Sequence, residues 1–450
     1  MKSVRSSLTQ NFLLAASAML VLLGIAASPA FAQGSGYKVI HSFSGIDGDG
    51  QLPTGDLVSD ATGNLYGTTS AGGVYNDNCT YPEGCGTVFK LTKTPGGSWT
   101  RTELWQFTGE PDGAYPQAGL IFDGAGNVYG TTQYGGVYDA GSVFELSPGS
   151  GGAWSEKIVY SFLGTTDGAN PDSQLVIDAA GNLYGTTYDG GSGEQGVVFE
   201  LSPVAGGGWT ESVLQAFVYP GPRYLTAGLV RDSAGNLYGS TFTGGNLEQP
   251  CLIGQYDGCG IVFELSPNSS GTWTYNVILN FDGFDGALPH GRMAIDGAGN
   301  LYGATSSGGN VKYYGYGGFG TVFRLSPNSS GAWTETVLHV FGANAVAGET
   351  FIDGDDAYSS VTLDSAGNLY GTTVYGGTGY GNVYELSPST TGAWKEKTLF
   401  AFSNQSSSGT RYGIFPEAGV LVDSAGNVFG TTLEGGTITG TGGVVFEITP

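Results

Sequence analysis

Three groups of side chains in this 450-residue sequence are suited to chemistry by type and setting. Arginine comes first: Arg223 in YPGPRYL, Arg292 beside His290 in LPHGRM, and Arg411 in SGTRYG stand out in a chain with 15 Lys and Arg against 39 Asp and Glu. A guanidinium fork matches a carboxylate, so arginines in separate connections can converge on an acidic ligand, or each can pair with a nearby Asp. The second group is tyrosine in the longest insertions, Tyr81, Tyr256, Tyr313 and Tyr316, which offers flat apolar area with a hydrogen-bonding tip, useful for a sugar or a protein partner. Third come the acidic turns DGDG (Asp47, Asp49) and DGDD (Asp353, Asp355). Calcium wants several oxygens from such closely spaced carboxylates, but the order of an EF-hand loop is missing, so solvated turns and no cofactor are expected.

Other chemistries are excluded. DGAGNVYGTTQYGG, Asp123 to Gly136, has glycines spaced almost as in a phosphate cradle, yet no Lys follows them and a strand-like VYGTT stands where a helix would be needed. His290 has no Ser or Cys in a nucleophile motif to accompany it. A net charge of −24 argues against nucleic acid, which wants clustered Lys and Arg.

The elements that position these residues follow from a repeat. DxxGNxxGxT occurs seven times, starting at Asp60, Asp123, Asp178, Asp232, Asp296, Asp364 and Asp423, with a period of about 60 residues that suits a four-stranded blade. In the second repeat the strand-like runs are GLIFD, NVYGTT, SVFELS and WSEKIVYSF, designated A to D, rich in β-branched and aromatic residues and bounded by Gly, Pro and Asn. YKVIHSF at Tyr37–Phe43 reads as a D strand with nothing before it, and VVFEITP at the other end as a C strand with no D after it. Joining them completes a seventh blade and closes the ring, so the expected fold is an all-β seven-bladed propeller in which sheet edges are protected. Each motif Asp, separated by three residues from an Asn, is expected to accept backbone hydrogen bonds across its own A–B hairpin.

Loop lengths separate the two faces. A–B turns and C–D turns are constant in length, whereas B–C connections run from 9 to 20 residues and D–A connections from 14 to 22. Binding loops belong on the variable face. The C–D turns SPNSSGTW and SPNSSGAW partly resemble the Asp-box of sialidase-like propellers, a structural turn that supports fold and not catalysis.

Residues 1–32 read as a signal peptide, with Lys2 and Arg5, an apolar core and Ala30-Phe31-Ala32 before the cut. The expected product is a secreted or periplasmic single domain, residues 33–450, with no membrane insertion once the leader is gone. It is expected to be a monomer. Cys79 with Cys85 and Cys251 with Cys259 lie in two separate insertions and read as two local disulfides, with a four-cysteine zinc site as the alternative.

The GNLYGTT…GG…G-x-VFELSP core together with DGAxP resembles the exported bacterial tandem-repeat proteins of the GloVer-repeat, or choice-of-anchor, family, over essentially the whole chain after the leader. That resemblance implies a secreted or surface protein and no known activity; this sequence departs from it in showing no anchor segment before Pro450. The function expected is that of a non-enzymatic binding module presenting Tyr, Asp and Arg to a glycan or protein. A glycosidase or lyase with carboxylates or His290 at the central opening is the alternative.

Overall fold

The computed structural model describes residues 36–46, 48–77, 79, 84–248, 250–253, 256–309, 318–343, 353–404, 406–407, 410–436 and 442–449, which lie in one compact unit. The leader assigned to residues 1–32 is outside the described residues. Seven antiparallel four-stranded blades follow one another in strand order A–B–C–D. In blade 2 the strands are Ile121–Phe122, Val128–Thr132, Ser142–Pro148 and Trp154–Ser161. The ring closes as the ends of the chain require: Tyr37–Ser42 pairs antiparallel with Val444–Ile448, Tyr37 opposite Ile448 and Ser42 opposite Val444. Blade 7 therefore takes three strands from the C-terminal end and its outer strand from the N-terminal end.

Blades are held together by aromatic rings in register. The Phe after each D strand meets the C-strand aromatic of the next blade, Phe107 on Phe144 at 5.0 Å between centroids and Phe162 on Phe199 at 5.1 Å. The same contact recurs at the other five junctions, including Phe43 on Phe89 and Phe402 on Phe446 on either side of the closing blade. All of these rings are buried. Edge-to-face pairs of this kind add about 0.5–1.5 kcal/mol each beyond the area they bury.

This packing explains the glycine of YGTT. A β-carbon built on Gly130 would stand 2.6 Å from Phe144 Cζ, and at the six repeats whose C-strand aromatic is Phe the clearance is 2.5–2.7 Å. The residue is glycine because the tip of an aromatic ring occupies the place of its β-carbon.

At the opposite end of each blade the motif Asp does what its spacing to Asn predicts. Asp60 Oδ1 accepts from the N–H groups of Thr62 and Asn64, and Oδ2 from Asn64 Nδ2 and the Tyr66 hydroxyl. The two backbone bonds and the amide bond occur in all seven hairpins. Burial works to raise the Asp60 pKa, but the bonds from Asn64 and Thr62 outweigh it and hold the carboxyl at about 2. Asp178→Ala removes all of its hairpin bonds and is expected to destabilise by about 1–2 kcal/mol, read as a lower denaturant midpoint at unchanged slope. The C–D turns use the same device with Asn: Asn268 Oδ1 accepts from the N–H groups of Ser270 and Thr272, and Asn328 repeats it.

Cys79 is joined to Cys85 and Cys251 to Cys259, each pair inside one B–C connection, in blades 1 and 4. Among the described residues no helix is long and apolar enough to cross a membrane.

Candidate ligand-binding site at the centre of the ring

The D–A connections carry the chain from the rim of one blade to the innermost strand of the next. Each contains a non-glycine residue in the left-handed region, Leu52, Tyr115, Asn170, Tyr224, Leu288, Asp356 and Phe415, with φ from 56 to 62°. That conformation costs roughly 1–2 kcal/mol for an L-residue. It persists because the residue is bonded on both sides. Tyr115 N–H donates to Cys85 O of the preceding blade at 2.9 Å, and its carbonyl accepts from Gln133 N–H at the end of its own B strand at 3.1 Å. Leu52, Asn170, Asp356 and Phe415 repeat both bonds. The motif threonine adds a third tie, Thr68 Oγ1 to Ala118 O at 2.9 Å and Thr372 Oγ1 to Ala418 O at 2.9 Å.

Fixed in this way, the second and fourth residues after each left-handed position face the axis. They line a cavity of about 310 Å³. The outer ring is Thr54, Gln117, Asp172, Thr226, His290, Tyr358 and Glu417. Two residues further along each chain, hence deeper, come Asp56, Gly119, Gln174, Gly228, Arg292, Ser360 and Gly419. The deeper ring closes by alternation of size. A β-carbon on Gly119 would be 3.1 Å from both Asp56 Cβ and Gln174 Nε2, one on Gly228 would be 3.2 Å from Arg292 Cδ, and Gly419 N–H donates to Asp56 Oδ1 at 2.7 Å. Large polar side chains thus pack against neighbouring glycines.

The groups around this cavity are electrically unusual. Burial pushes the Asp172 carboxyl up to about 8, so it is mostly protonated at neutral pH. Burial, with the charge of Glu434, also raises Glu417. His290 is pushed down to about 3 by burial, against the hydrogen bond its ring donates to the Tyr358 backbone carbonyl, and its neutral ring stacks on the Tyr358 ring with centroids 3.4 Å apart. Three polar atoms in consecutive blades are buried at this cavity without a hydrogen-bond partner: Asp172 Oδ1, Thr226 Oγ1 and Arg292 Nε. Unpartnered buried atoms of this kind occur elsewhere among the described residues, but these three gather at one cavity, where an entering ligand can reach them. A second depression of about 500 Å³ shares Tyr188, Thr226, His290 and Tyr358 with the first and extends it over blades 5 and 6 to Asp355, Asp356 and Tyr375. Burial raises Asp355 to about 6 and, helped by the charges of Asp355 and Glu417, Asp356 to about 7.

Of the side chains singled out in the sequence, His290 and Arg292 line the cavity. Arg223 does not: it is buried, its Nη2 stands 3.3 Å from Asp257 Oδ2, and its guanidinium lies over Tyr219 and Tyr224, as the pairing alternative expects. Tyr81, Tyr313 and Tyr316 lie outside the described residues, as do the side chains of Tyr256 and Arg411. Asp47 also lies outside them. Asp49 accepts from Ser44 N–H and Oγ and stands 3.3 Å from Arg101 Nε, Asp353 accepts from Gly342 N–H beside His339, and no group of three His, Cys, Asp or Glu suited to a metal occurs among the described residues. Asp172, Thr226, Tyr358 and Glu417 went unnoticed in the sequence. Their signal was there: aligned on the D–A connections, this position reads Thr, Gln, Asp, Thr, His, Tyr and Glu, polar or aromatic each time beside an otherwise repeated frame.

A seven-bladed β-propeller with a polar, partly unsatisfied cavity on its axis is thus the class of molecule this chain forms. The model of the Gloeobacter/Verrucomicrobia repeat matches residues 30–249, 79–313 and 253–450, and the chain belongs to that family. No curated protein matches. Among solved structures, a luciferin-regenerating enzyme is similar at 12% identity and a TM-score of 0.43, over 74% of this chain and 90% of that one. A puromycin-hydrolysing peptidase of Mycobacterium tuberculosis is similar at 13% identity and a TM-score of 0.49, over 90% of this chain; the match spans 52% of the peptidase.

Proposed function

We propose that this propeller is a non-enzymatic glycan-binding module, acting outside the cytoplasm, that takes a carbohydrate into its central cavity. The observation that carries the reading is the convergence of Asp172 Oδ1, Thr226 Oγ1 and Arg292 Nε, unpartnered, on a cavity whose remaining wall includes the stacked rings of His290 and Tyr358. Sugars present hydroxyls for such polar atoms and an apolar face for such rings. The two disulfides and the leader-like N-terminus support an oxidising compartment. His290, neutral down to about pH 3, is no base–acid shuttle near neutrality.

The test is a glycan array combined with a depolymerisation assay on the purified protein. Binding without turnover is expected, and Thr226→Val is expected to weaken it on the order of tenfold, about 1.4 kcal/mol, at unchanged melting temperature. An array without a single ligand sinks the reading. Turnover abolished by Asp172→Asn replaces it with a glycosidase, since a carboxyl raised to about 8 in the company of Glu417 has the properties of a general acid.

A further inference from the structure

We infer that the carbohydrate entering the central cavity carries a carboxylate on its terminal residue, a hexuronate end, and that Arg292 reads it. The inference rests on the glycan-binding reading and narrows it to a ligand class.

Arg292 is the one Lys or Arg among the described residues that line the cavity. It belongs to the deeper ring, its stem resting over Gly228, and its Nε is buried without a partner. A guanidinium stays charged under all ordinary conditions, so it cannot relieve its burial by losing a proton. Arg101, 3.3 Å from Asp49, and Arg223, 3.3 Å from Asp257, are supplied with carboxylates. Among the described residues Arg292, like Arg231 and Arg324, keeps a buried Nε without a partner, and of these three it alone lines the cavity. Of the acids on the same cavity, Asp56 already accepts the Gly419 N–H, and burial biases Asp172 and Glu417 toward their neutral forms. The cavity therefore holds a permanent positive charge with no direct carboxylate partner at the Arg292 Nε, inside a protein of net charge −24.

Shape and charge select how the ligand enters. The cavity of about 310 Å³ is at the small end of the range for ligand pockets, which suits a terminal sugar residue better than a long segment. Long-range repulsion by the acidic surface disfavours a polyanion lying across the face, while one carboxylate buried against one guanidinium gains a charge-assisted, bidentate contact. Asp172 and Thr226, in the two preceding blades, are left for the hydroxyls of the same residue.

The experiment compares a disaccharide ending in a non-reducing hexuronate with the same disaccharide ending in the neutral hexose, by titration calorimetry on the full protein. The acidic ligand is expected to bind at least 20-fold more tightly. Arg292→Gln is expected to erase that preference, weakening the acidic ligand at least 20-fold more than the neutral one, and Arg292→Lys to restore part of it. Equal affinities in the wild type overturn the inference and leave the glycan-binding reading standing. A preference that survives Arg292→Gln also overturns it, as does a 6-phosphate or 6-sulfate sugar bound as tightly as the hexuronate, which reports a general anion site. If neither disaccharide binds and the array is blank, both readings fall together. The wild-type comparison needs no variant, so the outcome does not depend on Arg292→Gln folding.

Discussion

Raising the pH from 5 to 8 is expected to destabilise this protein by a total on the order of 3 kcal/mol, an outcome opposite to that expected of a molecule held by ion pairs. The source is a set of carboxyl pairs between blades. Glu156 of one D strand faces Asp112 from the preceding connection, Glu211 faces Asp167, and Glu335 faces Asp285. Oxygens on both members are buried without partners in the first two pairs, Asp112 Oδ1 with Glu156 Oε1 and Asp167 Oδ1 with Glu211 Oε1, and Glu335 Oε1 is the same. Their other oxygens are bonded, Asp112 by Thr108 and Asp167 by Tyr160 and the Leu163 N–H. Two facing carboxylates repel, and protonating one removes the repulsion; in the Glu335–Asp285 pair a hydrogen bond joins the two as well.

Burial, aided by the charge of the facing Asp, raises Glu156 and Glu211 to about 7 and Glu335 to about 8. A carboxyl whose folded pKa exceeds its unfolded value contributes stability that is complete below about pH 4.3 and is lost as pH climbs through the folded value. Discounted for partial exposure, each pair accounts for on the order of 1 kcal/mol. On the acid side the hairpin aspartates act in the other direction: Asp60, Asp178, Asp296 and Asp364 are held low, so their stabilisation is lost as pH falls below about 3.9. Stability should peak near pH 4–5. Denaturant unfolding at several pH values checks this, and Glu156→Gln, Glu211→Gln and Glu335→Gln, which keep a donor toward the facing Asp, should each flatten part of the alkaline limb, to which Asp172 and Asp356 also contribute. A wild-type stability that is level or rising from pH 5 to 8 would falsify the shared-proton account. In blade 1 the equivalent position is Arg101, paired with Asp49, so that interface should contribute no loss in this window.

Gly130→Ala should cost about 2 kcal/mol although its backbone conformation admits alanine, because the added methyl lands 2.6 Å from Phe144 Cζ and 2.9 Å from Leu120 Cδ2, both fully buried. The neighbouring Gly124→Ala should be near neutral, since nothing lies within 4 Å of its β-carbon. The cause can be isolated by a double-mutant cycle. Phe144→Leu alone opens space and loses about 1–3 kcal/mol, but the Leu side chain lacks the ring atom that collides. Combined with Gly130→Ala it should therefore cost less than the sum of the single changes, by on the order of 1 kcal/mol. Strict additivity would show that the glycine is conserved across these repeats for another reason than the ring beside it.

The blades, their number and the closure of the ring were legible in the sequence because each rests on local, repeated chemistry. Asp four residues ahead of Asn dictates a hairpin wherever it occurs, and a period of about 60 residues with an unmatched strand at each end leaves few ways to satisfy every edge. Both disulfides were legible because each pair sits within one insertion. The site was only half legible. His290 and Arg292 attracted notice as rare residue types, but so did Arg223, whose carboxylate partner Asp257 comes from a different connection that no spacing rule ties to it.

Sequence alone settled the repeated unit and the face on which variation is allowed, since hairpin bonds, strand alternation and turn length act over a few residues. Tertiary structure decided which seven side chains meet at the axis, which charges are neutralised and which are left open. Those outcomes depend on distances between blades and on the removal of water from the centre of the ring. Asp172, Thr226 and Arg292 are ordinary residues more than 50 positions apart until the ring closes around them and leaves each without a partner.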